Sequence, residues 1–290
     1  WATQFKETKN TETTKTKSGG KGGGGSQTTT TTSYTYSISL AIAFCKGNSK
    51  ASISRMWADG DEIDMSLLDF VFYPGSDTQD PDPTIEEVQG VGNVPAYRGT
   101  AYIVIKDMQL EDYGNRVPQI TAEIVVPLET DDPVDMQNSA EAFCLIPASG
   151  EHIYDPQQVN VFTGEKTTKP DNVHNAFREP DVIRGMKNLT RMQNNLDAVL
   201  LVVAWFGDDL RAGSCNIAPK HEGDTRYTSL TNARDGREWR VMGQDRTYWG
   251  EVSKDGQGRP IYGGTPSDDG LKRLIAHLRD DLGLRVVFYP

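Results

Sequence analysis

The sequence predicts a multidomain α+β protein, with a β-rich part followed by the start of an α/β layer. Three observations predict it. Large apolar residues alternate with small ones in YTYSISLAIAF, residues 34–44. Short apolar runs separated by Pro, Gly and Asp turns continue to about residue 147. Beyond residue 181 the apolar spacing changes to threes and fours and is followed by an all-apolar run, which is helix then buried strand.

Residues 1–32 come first, with five Lys against two Glu and almost no apolar residue after Phe5. Composition makes this an extended Gly/Thr/Lys-rich arm or linker, expected to run along a neighbouring subunit or a second domain. From Tyr34 to Phe44 the even positions are large and apolar and the odd positions small, the period of a strand with one face on a core. SISRMWADG leads into the turn formers Asp59 and Gly60, and DFVFYPG (69–75) reads as another strand. Pro83 can open a short helical turn. Strands are expected near 101–106, 120–126 and 141–147, so the β-rich domain covers 33–150 and a polar connector 151–180.

Val182, Ile183, Met186, Leu189, Met192 and Leu196 form a helical stripe. AVLLVVAWF (198–206), apolar on both faces, reads as a buried parallel strand. Ser267 can cap a second helix with Asp268 and Asp269 in its first turn. That helix would end at Gly283, before the strand LRVVFY. Residues 181–290 are therefore expected to be the first part of a barrel-like α/β domain. The chain opens on Trp1 and stops at Pro290 directly after an apolar strand, so an internal slice of a longer polypeptide is expected.

Net charge is −11, of which the arm contributes +3 and the remainder −14. An acidic body argues against general phosphate-backbone binding, which needs clustered Lys and Arg. The three cysteines show no CxxC and the four histidines no metal-ligand spacing, so no metal site and no cofactor are expected. The longest apolar run, nine residues, is too short to span a bilayer as a helix.

Two segments are candidates for chemistry or contact. WFGDDLRAGSC (205–215) leaves the carboxyl end of the buried strand, where α/β folds build sites. Asp208 and Asp209 could form a carboxylate pair for glycosidic chemistry, or accept backbone N–H groups in a turn, with Arg211 as partner. Trp205, Trp249 and Tyr262, with Trp239 and Tyr248, offer flat faces for sugars, or core. LEDYGNRVPQI (110–120) is a charged, turn-prone centre between two strands, with Glu111, Asp112, Tyr113, Arg116 and Pro118 as a structural joint or interface. Arg116 is expected to pair with Glu111 or Asp112. No GxSxG, HExxH or phosphate-binding loop is present, and the catalytic residues are unknown.

YSISLAIAFC with RMWADG, PAYRGTAYIVIKDMQLEDYGNRVPQI, and LVVAWFGDDLRAGSC with IYGGTPSD resemble the large tail-tip or baseplate hub proteins of tailed bacteriophages and gene transfer agents. WATQFKET and GGKGGGG fit as well. These are the host specificity proteins with a glycoside-hydrolase-like, TIM-barrel-like domain. The resemblance implies a virion structural protein at the distal end of the tail, assembled as a homotrimer. The implied partners are the distal tail protein, other hub proteins, tape measure protein and tail fibres, with DNA passing through unrecognised. Host envelope glycans are a further implied partner, and an envelope glycan-degrading hydrolase is the alternative.

Overall fold

The structure, a computed structural model, describes residues 1–17, 26–146, 150–162, 168–223, 228–229 and 239–289. The glycine run GGKGGGG lies outside them. The chain divides into two compact units, Trp1–Glu129 and Thr130–Pro290. Both mix strands with short helices, and the chain as a whole is strand-rich α+β with open sheets.

The first unit begins with β1 (Lys6–Lys17) and β2 (Ser26–Lys46), which pair antiparallel over twelve positions from Lys6 opposite Ser37 to Lys17 opposite Ser26. Of the two alternatives for residues 1–32, an extended arm or a linker, the described residues form an extended arm, a two-stranded β-ribbon whose strands pair with each other. Thr, with its branched Cβ, dominates both strands and favours extended backbone. β3 (Ser52–Ala58), β4 (Asp61–Glu62), β5 (Asp69–Tyr73), α1 (Pro83–Gln89), β6 (Thr100–Gln109) and β7 (Ile120–Val125) complete the unit. One sheet has the order β1-β2-β6-β5 and the other β4-β3-β7.

Ile38 and Leu40 are buried as the alternation requires, but so are Ser37 and Ser39. Trp1–Thr3 runs along the same stretch of β2, with Thr3 N–H donating to Ser39 O at 2.8 Å. A bulge between Ile38 and Leu40 also shifts the register against β6. Asp107 is one of the two β6 residues that face Ser39 in this bulge, and it takes the left-handed region at φ 47°. Ser39 Oγ accepts its N–H at 3.0 Å, satisfying the donor that the bulge removes from the ladder. Gly47 marks a close backbone approach, since a Cβ there would stand 1.9 Å from Pro74 O. α1 starts as its sequence predicts, with Pro83 in the first turn and Asp82 Oδ1 accepting from Ile85 N–H at 2.9 Å.

In the second unit α2 (Met136–Ser139) precedes β8 (Ala142–Leu145), followed by β9 (Asn160–Phe162), β10 (Thr168–Pro170), α3 (Asp181–Met192) and β11 (Ala198–Val202). Then come β12 (Phe206–Gly207), β13 (Ile217–Ala218), β14 (Lys220–His221), β15 (Thr228–Ser229) and β16 (Gly250–Glu251). α4 (Asp268–Ala276) runs into a π turn at His277–Asp281 and leads to β17 (Arg285–Tyr289). β8, β11 and β17 form a parallel sheet with β11 central, and α3 and α4 lie between successive strands in sequence.

The strand at 142–145, grouped by sequence with the β-rich part, is thus the first strand of the parallel sheet. Its four residues cannot carry a period that separates the two assignments. The core of this unit joins Val182 and Met186 of α3, Val199 and Leu201 of β11, and Leu271, Leu274 and Leu278 of the last helix. Ser267 caps α4, its Oγ accepting from Gly270 N–H at 3.2 Å. Gly283 takes φ 68° after the helix.

Candidate functional site

The joint at 110–119 does not close a hairpin. β6 belongs to one sheet of the first unit and β7 to the other, so this segment carries the chain between sheets. Leu110 is fully buried and anchors the crossing, donating its N–H to Tyr36 O at 2.9 Å and accepting from Asn115 N–H at 2.8 Å. A 3₁₀ turn follows at Glu111–Tyr113, then Gly114 and Asn115 in the left-handed region at φ 66° and 58°. These are the residue types that tolerate it. Glu111 and Asp112 point to solvent, Tyr113 is half-buried and Pro118 is buried two residues before β7. Burial raises the Tyr113 phenol, with the neighbouring carboxylates adding to the effect.

Arg116 pairs with neither Glu111 nor Asp112. It reaches the turn after β3, where Nη2 donates to Asp59 Oδ2 at 2.7 Å and Nη1 to Oδ1 at 3.3 Å. Asp59 sits at φ 52° beside Gly60. Asp59 N–H donates to Gln119 O at 3.0 Å, and its Oδ1 accepts from Gln119 N–H at 2.9 Å. The Arg116 guanidinium, with the Gln119 N–H, holds the Asp59 carboxyl below its usual value. Local spacing along 110–120 could not reveal a partner 57 residues away; the left-handed Asp-Gly turn was its only trace.

Beside the joint lies a cleft of about 640 Å³ between the edges of the two sheets. Seven carboxylates and a single lysine, Lys106, line it, together with Ile63, Leu67, Met108 and Tyr113.

In the second unit Asp208 and Asp209 both accept hydrogen bonds within their own loop. Asp208 Oδ1 accepts from Asn216 N–H at 2.7 Å and Oδ2 from its side-chain amide at 3.2 Å. Asp209 takes Arg211 Nε at 3.0 Å, Nη2 at 2.6 Å and the Arg211 N–H at 2.8 Å. These donors hold both carboxyls below the ordinary range, Asp208 mainly through Asn216 and Asp209 through Arg211. A general acid needs the opposite shift.

Trp205, over one-third exposed, joins Val203, Ile217 and Tyr289 around a concavity of about 410 Å³ at the carboxyl ends of β11 and β17. Trp249 and Tyr262 do not line it. Trp249 is half-buried, donating its indole N–H to Val241 O at 3.1 Å with Tyr248 edge-on at 4.8 Å, and Tyr262 is exposed. Trp239 is fully buried, its indole N–H given to Thr265 O at 2.6 Å.

The segment treated as a polar connector holds the deepest charges of this unit. Glu151 is fully buried and receives both Arg246 Nη atoms at 2.5 Å and Glu222 N–H at 2.7 Å. Asp155, also fully buried, pairs with Arg273, whose Nε lies at 3.0 Å. Tyr154 gives its hydroxyl to Leu145 O and Val202 O, tying the ends of β8 and β11. EHIYD is thus a buried polar clasp; its charged letters hide this, because burial is set by partners up to 118 residues away. Among the described residues no three His, Cys, Asp or Glu side chains are grouped to hold a metal ion, and no helix is long and apolar enough to cross a membrane. Cys45, Cys144 and Cys215 are free.

No protein-family model matches the chain, and no curated protein matches it. One solved structure, the virion of a native gene transfer agent particle, contains a chain that is 44% identical over 40% of this one, with a TM-score of 0.35. The match spans 27% of that chain.

Proposed function

We propose that the chain is a structural component of a tailed phage or gene transfer agent virion. Within it, the chain is a tail-tip or baseplate hub protein at the distal end of the tail, linking the tail tube to host-binding and penetrating parts and gating DNA release. The reading rests on the long AYRG…LEDYGNRVPQI stretch and its companions, whose resemblance covers both units. The geometry of that stretch supports it: the charged centre is spent on tying two sheets together. In this reading the chain forms a ring, a homotrimer, against the distal tail protein, other hub proteins, tape measure protein and fibres, and DNA passes without being recognised. The β-rich part corresponds to the hub and the parallel sheet to the start of a TIM-barrel-like domain, whose sequential strand order is the one a barrel uses.

One observation favours a second reading. The apolar concavity with Trp205 lies at the carboxyl ends of parallel strands, the position where α/β folds take ligands, and an exposed indole can stack on a sugar. Envelope glycan binding or hydrolysis would be placed there. A density map of assembled particles tests the first reading: the chain is expected as a symmetric ring at the tail end, and its absence from particles would overturn the proposal. Release of reducing sugars from host envelope by the purified protein would favour the second.

A further inference from the structure

Among the described residues, the β1–β2 ribbon outward of Ser37 pairs with no other strand of its unit. Residues 4–15 of β1 and its lead-in, and 28–34 of β2, are exposed on both faces. β1 is an outer strand of its sheet, and β2 meets β6 only from Ser37 onward. A two-stranded ribbon alone in water is marginal at best, and this one carries Thr, Lys, Asn and Glu where a core face would need apolar side chains. Twelve paired residues at about 3.3 Å each extend roughly 40 Å. That is nearly three times the radius of gyration of about 14 Å typical of a unit this long. Its unpaired edges are templates for another strand.

The same unit supplies a complementary surface. β5 is the opposite outer strand of the sheet, paired on one side with β6. The start of β5 borders the acidic cleft, where Asp61, Glu62, Asp69 and Asp112 stand beside the exposed Leu67. The ribbon's shaft bears Lys9 and Lys15, both exposed. At its root Lys6 already approaches the cleft residue Asp107, Nζ to Oδ1 at 3.9 Å. Lys9 and Lys15 lie three and nine residues further along β1 from this root, and neither pairs with a carboxylate of its own cleft among the ion pairs of the described residues.

We propose that the ribbon is an intersubunit arm, its lysine-bearing shaft lying along the β5 edge and acidic cleft of a second copy of this chain. Strand addition supplies the main-chain hydrogen bonds, and the charge difference sets which edge is chosen. The proposal rests on the chain working as an oligomer, as in the virion reading.

The test is sedimentation of the whole chain at about 50 mM and about 500 mM salt, between which the screening length shortens about threefold. Wild type is expected to self-associate, with affinity at least tenfold weaker at high salt. Lys9→Glu with Lys15→Glu, and separately Asp61→Lys with Glu62→Lys, should each weaken association at least tenfold. Mixing the two reversed variants should restore it. All four residues are exposed, and circular dichroism of each variant verifies the fold. A wild-type monomer at both salts, reversed variants that associate as wild type, or a mixture that stays apart would each overturn the arm. Particle incorporation is read separately. A chain that enters particles without ribbon-dependent association defeats the arm and keeps the virion reading; ribbon-dependent association in a chain excluded from particles does the opposite.

Discussion

Glu151 and Arg246 show what a single buried pair does here. Glu151 has no solvent exposure and its carboxylate is consumed by the guanidinium and by Glu222 N–H. Removing one partner leaves a charge in a site built for two. Arg246→Met should therefore destabilise the second unit by about 3–5 kcal/mol in denaturant unfolding. Glu151→Gln combined with Arg246→Met should recover part of the loss, because no charge then remains. The surface carboxylates act differently. Asp59, Asp208 and Asp209 are all held below the usual value of 3.8 by donors that bind the ionised form. A depressed folded-state value means their contribution is fully present above the unfolded value and is lost as pH falls through the folded one. Thermal stability should thus be flat from neutral pH down to about pH 5 on their account and decline below about pH 4, the range where unfolded carboxyls titrate. A midpoint falling already between pH 7 and 6 would show that other groups dominate.

Elements were legible where local chemistry decides them. α4 could be read from Ser267, its two first-turn aspartates and the glycine after it, and all stand where that reading puts them. Ser267→Ala removes the acceptor for Gly270 N–H and should cost about 1 kcal/mol, seen as a lower unfolding midpoint. β11 was legible from an apolar run on both faces, because a strand central in a parallel sheet is covered twice. The pairing within the ribbon was not legible, since low apolar content and glycine point only to an extended arm or linker, and antiparallel pairing over twelve positions, four of them Thr opposite Thr, is a property of two segments together. β8 is legible as a strand but not in its sheet: four residues carry no period that assigns them to one sheet, and the parallel partner β11 lies more than fifty residues on. The clasp around Glu151 was hidden in the same way, by partners distant in sequence.

For the whole molecule the question is what so much long-range polar wiring is for. The Asp208–Asp209 loop, the leading candidate for chemistry, is committed to its own turn, and the sheet crossing at 110–119 is committed to Asp59. Both are shape-holding uses of charge. Arg116 is the clearest instance, because its side chain fastens the crossing segment to the β3–β4 turn of the sheet that β7 joins, without lining the nearby cleft. Arg116→Ala should leave the cores untouched, since Leu110 and the strand ladders remain, but free the Asp59–Gly60 turn and the start of β7. Hydrogen exchange at Asp59 and Gln119 N–H should then quicken, while far-UV circular dichroism stays the same. If the chain is a hub component, that local loosening displaces a surface between sheets, and particles carrying the substitution should assemble in lower yield with any sugar-releasing activity unaltered. Faster exchange with a normal particle yield would separate the two claims: the joint would stand as structure, and its place in assembly would be wrong.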